Sequence, residues 1–399
     1  MGLEAIRAAR AGLAGILRPT PVEEADTLSR MVGRTVLLKP EHRQRTGSFK
    51  IRGAFTHVAA LPDDGARVVA ASAGNHALGV ALAASLAGRR SSIFMPSGAP
   101  LPKVEATRAY GADIRLVGEI VDDCIAEART AAEADGGHLV PPFDDPLVIA
   151  GQGTIGLEIA EEAGPDFEAV VVPVGGGGLV SGIAAALASV RPEVRVIGVE
   201  AEGAAAMQAS VAAGRPVRLD AIDTIADGIA VKTPSALTLA HVDAFVDDII
   251  TVSDEEIGRA LILLLERAKA VVEPAGVAGL AALLAGKVAG TGPVVVVLSG
   301  GNVDPLMLRK LIEHGLSAAG RFLRLRLIVD DHPGALAKVT ALLARLGLNV
   351  LDVEHHRVGV SVGIDQVELL LTLETRDPDH RLVAVDRLRA EGHTVDLIA

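Results

Sequence analysis

The run Ala169-Val170-Val171-Val172-Pro173-Val174, followed by Gly175-Gly176-Gly177-Gly178-Leu179, constrains the fold more than any other part of the chain. A strand that is apolar at every position is buried on both faces, as in a parallel sheet covered by helices on either side. The same unit recurs. Arg67-Val68-Val69-Ala70-Ala71, Ser91-Ser92-Ile93-Phe94-Met95, Asp113-Ile114-Arg115-Leu116-Val117, Val194-Arg195-Val196-Ile197-Gly198-Val199 and Pro293-Val294-Val295-Val296-Val297-Leu298 all read as strands. Helices are expected at residues 53–60, 77–86, 103–110, 121–134, after the four glycines, and at 254–269 and 274–284. The alternation predicts an α/β fold. Residues 169–190 carry no charge, but Pro173 and the glycines divide them into strand, loop and helix, which rules out a membrane span.

The pattern changes near residues 315–320. Residues 321–330 alternate as a strand, 334–346 form an amphipathic helix, strands follow at 349–357 and 365–373, then a helix at 382–389 and a strand at 394–398. This βαββαβ order predicts a separate α+β ferredoxin-like domain over 321–399, behind a larger domain over 1–320.

A net charge of −12 argues against a nucleic-acid surface, and an aromatic content of 2% with no Trp argues against base-stacking platforms. The single cysteine, Cys124, excludes an internal disulfide and fits a reducing compartment. The N-terminus mixes both charges and lacks an apolar core segment, so a cytoplasmic location is expected.

Four stretches could carry chemistry. In Thr46-Gly47-Ser48-Phe49-Lys50-Ile51-Arg52-Gly53-Ala54, Lys50 falls near a helix N-terminus, where the dipole disfavours a protonated amine. A readily neutral amine can form a Schiff base with an aldehyde cofactor, although most lysines at helix starts are solvated surface residues. Ser72-Ala73-Gly74-Asn75-His76 joins a strand to a helix and suits a carboxylate at the sheet's C-terminal edge. Its plainer reading is a turn in which Ser72 and Asn75 cap the helix. Gly175-Gly176-Gly177-Gly178 suits a phosphate held by backbone N–H groups. A dinucleotide loop, encouraged by Glu200, stays open, but no register gives G-x-G-x-x-G because the last position falls on Val180 or Ser181. Ser299-Gly300-Gly301-Asn302 ends another strand, and Glu273 precedes a helix that its carboxylate could cap. Three small-residue loops and one lysine on one sheet edge together ask for a phosphate-bearing aldehyde, which pyridoxal 5'-phosphate is.

In this order the four motifs resemble those of threonine dehydratases, fold-type II pyridoxal-phosphate enzymes related to the tryptophan synthase β-subunit. Phe143-Asp144-Asp145-Pro146, Gly151-Gln152-Gly153-Thr154-Ile155-Gly156-Leu157-Glu158 and Ala226-Asp227-Gly228-Ile229-Ala230-Val231 look like the same family, over residues 15–315. Asp331-His332-Pro333-Gly334-Ala335-Leu336 resembles an ACT regulatory domain. The resemblance implies two open parallel α/β subdomains, the smaller near residues 50–145. It implies that Lys50 holds the cofactor as a Schiff base and then acts as the base on Cα, that Phe49 packs by the ring and that Asn75 bonds its 3-oxygen. Gly175, Gly176, Gly177, Gly178 and Leu179 would hold the phosphate, and Ser299 would meet the pyridine nitrogen. Ser72, Ala73, Gly74, Asn75 and His76 would bind the substrate carboxylate.

The implied reaction converts L-threonine to 2-oxobutanoate and ammonia, with L-serine as a second substrate, in a homo-oligomer (dimer or tetramer) regulated by an amino-acid effector on the ACT domain. Isoleucine biosynthesis and threonine breakdown are the two settings the resemblance leaves open. Serine racemase is a close relative, but its opposite-face serine is replaced here by Ala73. Of its metal ligands Glu200 matches one, while the second falls on Ala206, so no metal is expected. Leu78, Pro142 and Pro274 also depart from the family pattern. A serine dehydratase or racemase of the same fold, and a non-catalytic amino-acid-binding protein, are the competing readings.

Overall fold

The computed structural model describes residues 2–318, 320–357, 363 and 365–398. The chain divides into two compact units, Met1–Asp304 and Pro305–Ala399.

In the first unit, a six-stranded sheet runs in the order Glu23–Glu24, Val36–Lys39, Val294–Val297, Ala169–Pro173, Arg195–Ala201, Asp248–Val252. All neighbours are parallel except the first pair, where Glu23 faces Leu38 in antiparallel register. That departs from a purely parallel sheet. A two-residue acidic strand blunts the sheet edge against pairing with another chain. A second, wholly parallel sheet has the order Asp113–Leu116, Ser91–Met95, Val68–Ala71, His138–Leu139. Every residue of Val68–Ala71, Ser91–Met95, Ala169–Pro173 and Val294–Val297 is buried, which is why these segments read as unbroken apolar runs. Helix Lys50–Ala59 packs Ile51, Ala54 and Val58 into the core of the second sheet with Val68, Ala70 and Val80.

Strand connectivity sets the position of the site. Val36–Lys39 and Ala169–Pro173 flank Val294–Val297 in parallel register. The turn bearing Lys50, the glycine loop and the Ser299 loop therefore all leave the same edge, the C-terminal one that ligands occupy in open α/β sheets. The helix expected over 254–269 is shorter: Asp254–Leu263 passes into a π-helical turn, Leu264–Ala268, which Lys269 ends at φ 55°.

The second unit begins earlier than residue 321, because helix Pro305–Ala318 groups with it and packs beside strand Phe322–Asp330. Its antiparallel sheet has the order Asn349–His356, Gln366–Glu374, Phe322–Asp330, Thr394–Leu397, with helices Ala335–Arg345 and Pro378–Ala390 completing βαββαβ. Leu323, Leu325, Leu327 and Val329 alternate inward against Val339, Leu342 and Leu343. Among the described residues, no helix is long and apolar enough to cross a membrane.

Candidate active site

The lysine turn is tied by its backbone to the end of strand Val294–Val297. Phe49 N–H donates to the Ser299 carbonyl (3.1 Å), Gly301 N–H to the Gly47 carbonyl (2.8 Å), and Ser48 bridges Gly300. Two successive left-handed residues, Thr46 (φ 64°) and Gly47 (φ 72°), shape the turn. A Cβ at Gly47 would fall 2.4 Å from Asn302 Oδ1, so only glycine allows this approach. Beneath it, the buried Arg52 guanidinium joins Glu41 (2.8 Å) to Glu158 (2.6 Å), and these partners hold it in its charged form despite burial.

Lys50 is the first residue of helix Lys50–Ala59. Its Nζ donates to the Pro142 carbonyl at 2.8 Å and lies 5.2 Å from the centre of the Phe49 ring. Burial lowers the amine from 10.5 to about 8, opposed by the negative Glu273. Desolvation, more than the helix terminus, is therefore the cause of the shift. Pro142 serves through its carbonyl, a contact that does not depend on its side chain.

At the end of strand Val68–Ala71, Ser72 accepts the Gly74 N–H on Oγ (3.1 Å), while helix Asn75–Leu86 has no side-chain cap. Asn75 does not cap it. Instead Asn75 Nδ2 donates to Glu273 Oε1 (2.6 Å) and Asn75 Oδ1 accepts from Asn302 Nδ2 (2.7 Å). The His76 ring is turned into the core, with Nε2 against the Val140 carbonyl (2.9 Å), and burial lowers it to about 3. A neutral, inward His76 leaves only its backbone to the loop, which corrects any reading of its ring as a carboxylate partner.

Gly177 (φ 89°) precedes helix Gly178–Val190, whose first N–H groups are free of intrahelical partners. A Cβ at Gly176 would fall 2.2 Å from the Phe143 ring, so this loop can offer only backbone. Leu179 points its side chain into the core of the large sheet. Such a bare cradle fits a phosphate, and the half-buried Lys50 amine, its basicity lowered, fits an aldehyde. These residues suit pyridoxal 5'-phosphate.

Two carboxylates depart from expectation. Glu273 stands at the N-cap position but its side chain does not cap the helix; its carboxyl lies buried beside Asn75, and desolvation pushes it up to about 7. Glu200 is also buried and pushed up to about 7, and its oxygens accept the N–H groups of Met207 and Gln208 (both 2.8 Å) at the start of helix Ala206–Ala213. Both oxygens are thus engaged by the chain itself. Among the described residues, no three His, Cys, Asp or Glu side chains gather as a metal site. Sequence reading missed the roles of Asn302 and Glu273, whose signals were only their places beside Ser299 and before Pro274.

The family model for pyridoxal-phosphate dependent enzymes matches residues 13–300, and that for the ACT domain matches 323–393. The chain belongs to the pyridoxal-phosphate dependent enzyme family. It is 45% identical over 399 residues to the L-threonine ammonia-lyase of Thermotoga maritima, covering 99% of each chain. With the catabolic L-threonine dehydratase of Escherichia coli K12 it shares 44% identity over 76% of this chain and 94% of that one. Maize serine racemase superposes with a TM-score of 0.74 at 36% identity, over 79% of this chain and 98% of that chain. The shared fold is that of a fold-type II enzyme followed here by an ACT domain. The cofactor of the family is pyridoxal 5'-phosphate.

Proposed function

We infer that the protein is an L-threonine ammonia-lyase that forms 2-oxobutanoate and ammonia. The observation that carries this reading is the pair of backbone bonds tying the turn that bears Lys50, an amine of lowered basicity, to the loop that bears Ser299. Pyridoxal 5'-phosphate, when bound, supplies an electron-withdrawing system that weakens the substrate's Cα–H bond. Lys50 would hold the cofactor and then take the Cα proton. The backbone of Gly175–Gly178 and Leu179 would hold the phosphate, Phe49 would flank the ring, Asn75 would donate to its 3-oxygen, and the Ser299 hydroxyl would meet its nitrogen. A hydroxyl there, in place of a carboxylate, moderates electron withdrawal and suits loss of the β-hydroxyl. The loop Ser72 to His76 would receive the substrate carboxylate through its N–H groups and Ser72. The released enamine hydrolyses in water to the keto acid.

Ala73 supports elimination over racemisation, since a methyl group cannot return a proton from the opposite face. The similarity to a serine racemase keeps L-serine as an alternative substrate. Purified, cofactor-loaded protein should release 2-oxobutanoate from L-threonine faster than pyruvate from L-serine; D-serine formation as the main product would sink the reading.

The ACT domain supports regulation by an amino acid, and a dimer or tetramer follows if that ligand binds between domains. A cytoplasmic location accords with the lone buried Cys124. A role in isoleucine synthesis is the finer part of this proposal, and the catabolic name of the E. coli relative is its rival.

A further inference from the structure

The Asn75 amide is fixed without ambiguity. Asn302 Nδ2 donates both to the Thr46 carbonyl (2.6 Å) and to Asn75 (2.7 Å). Because a carbonyl only accepts, the Asn302 amide has one orientation, and the Asn75 atom facing it must be the oxygen. Asn75 Nδ2 is therefore the atom against Glu273 Oε1. One of its two hydrogens is used there. The other has no acceptor among the described residues, and Asn75 is only partly buried, so that hydrogen is open to a ligand or to water.

Glu273 is the buried end of this chain of contacts. Its own N–H donates to the Gly300 carbonyl (3.0 Å), and a Cβ at Gly300 would fall 2.0 Å from Glu273 Oε1 and 3.0 Å from Asn75 Nδ2. The glycine leaves room for the carboxyl to reach the amide. No basic side chain among the described residues pairs with it. The charged groups that act on it are Asp227, which raises it, and Lys103 and Lys50, which lower it; Lys103 is itself paired with Asp227 (3.2 Å).

We propose that Glu273 is a positioning residue for the cofactor ring: through Asn75 it aims one N–H at the ring's 3-oxygen, and the charge on its carboxyl sets how firmly that N–H is held. This rests on the reading that Asn75 meets the 3-oxygen. Burial favours the neutral acid at mildly acidic pH, and ionisation comes near pH 7. The ionised carboxylate is a stronger acceptor from Asn75 and adds a negative charge near Lys50, so it favours protonated nitrogen at the lysine.

The test is a pH titration of the absorption and fluorescence bands of the cofactor-loaded protein. The wild-type bands should interconvert with a midpoint at about 7, while Glu273→Gln, which keeps an acceptor for Asn75 but cannot ionise, should hold the cofactor and lose that transition. Glu273→Gln that titrates like wild type would overturn the proposal, as would a wild-type spectrum unchanged across this range whatever the variants do. Asn75→Ala separates contact with the 3-oxygen from the role of Glu273. Wild-type bands in Asn75→Ala would contradict contact with the 3-oxygen itself, whereas bands altered in Asn75→Ala but titrating normally in Glu273→Gln would contradict only the role given to Glu273.

Discussion

Lys50 is held where its charge is disfavoured, and one short sequence run suffices to find it because helix start and small neighbours lie within a few residues. Lys50→Ala should lose the visible band of the bound cofactor and about a thousandfold or more of keto-acid release, while the cofactor-free proteins melt at the same temperature or the variant higher. Glu273 was less legible: its partner Asn75 is far away in sequence, and a Glu before Pro274 looks like any first-turn carboxylate. Its stability effect has a definite sign. With its folded value raised from 4.5 to about 7, its contribution is complete below 4.5 and is lost as pH rises through 7. Melts of cofactor-free wild type and Glu273→Gln should therefore diverge as pH rises from 4.5 to about 7 and keep that gap above it, wild type being the weaker, by roughly 3 kcal/mol at most. A gap that is constant with pH would mean that Glu273 keeps an ordinary acidity.

Among the elements, strands apolar throughout were readable to within about two residues, since full burial leaves no other pattern. Helix Pro146–Glu162 was not assigned, because its glycines at 151, 153 and 156 weaken a helical reading even though they admit close neighbours. Strand Asp248–Val252 was also missed, its exposed Asp248 diluting the apolar signal. The loop after Ala169–Pro173 gives a sharper test. Gly176→Ala drives a methyl into the Phe143 ring, so cofactor affinity should drop at least about tenfold with the secondary structure intact. Equilibrium dialysis against free cofactor measures it; unchanged affinity would place the phosphate elsewhere. Under helix Lys50–Ala59, Arg52→Met strands the buried Glu41 without its cation, while Glu158 keeps Lys39 (2.6 Å), and should cost on the order of 3 kcal/mol in denaturant unfolding.

At the scale of the whole molecule, the two-unit division was visible in the switch from unbroken apolar strands to alternating ones, while helix Pro305–Ala318 stayed hidden before that switch. A chain ending at Asp304 should still release keto acid from L-threonine yet lose any response to amino-acid effectors; retained response would place the effector site in the first unit. The first unit is expected to hold a Lys50-bound pyridoxal cofactor for elimination from threonine. The measurement that decides this is keto-acid release from L-threonine and L-serine by the yellow, cofactor-loaded protein. 2-Oxobutanoate should form faster than pyruvate. A colourless protein, or a yellow one that forms neither product, would contradict it.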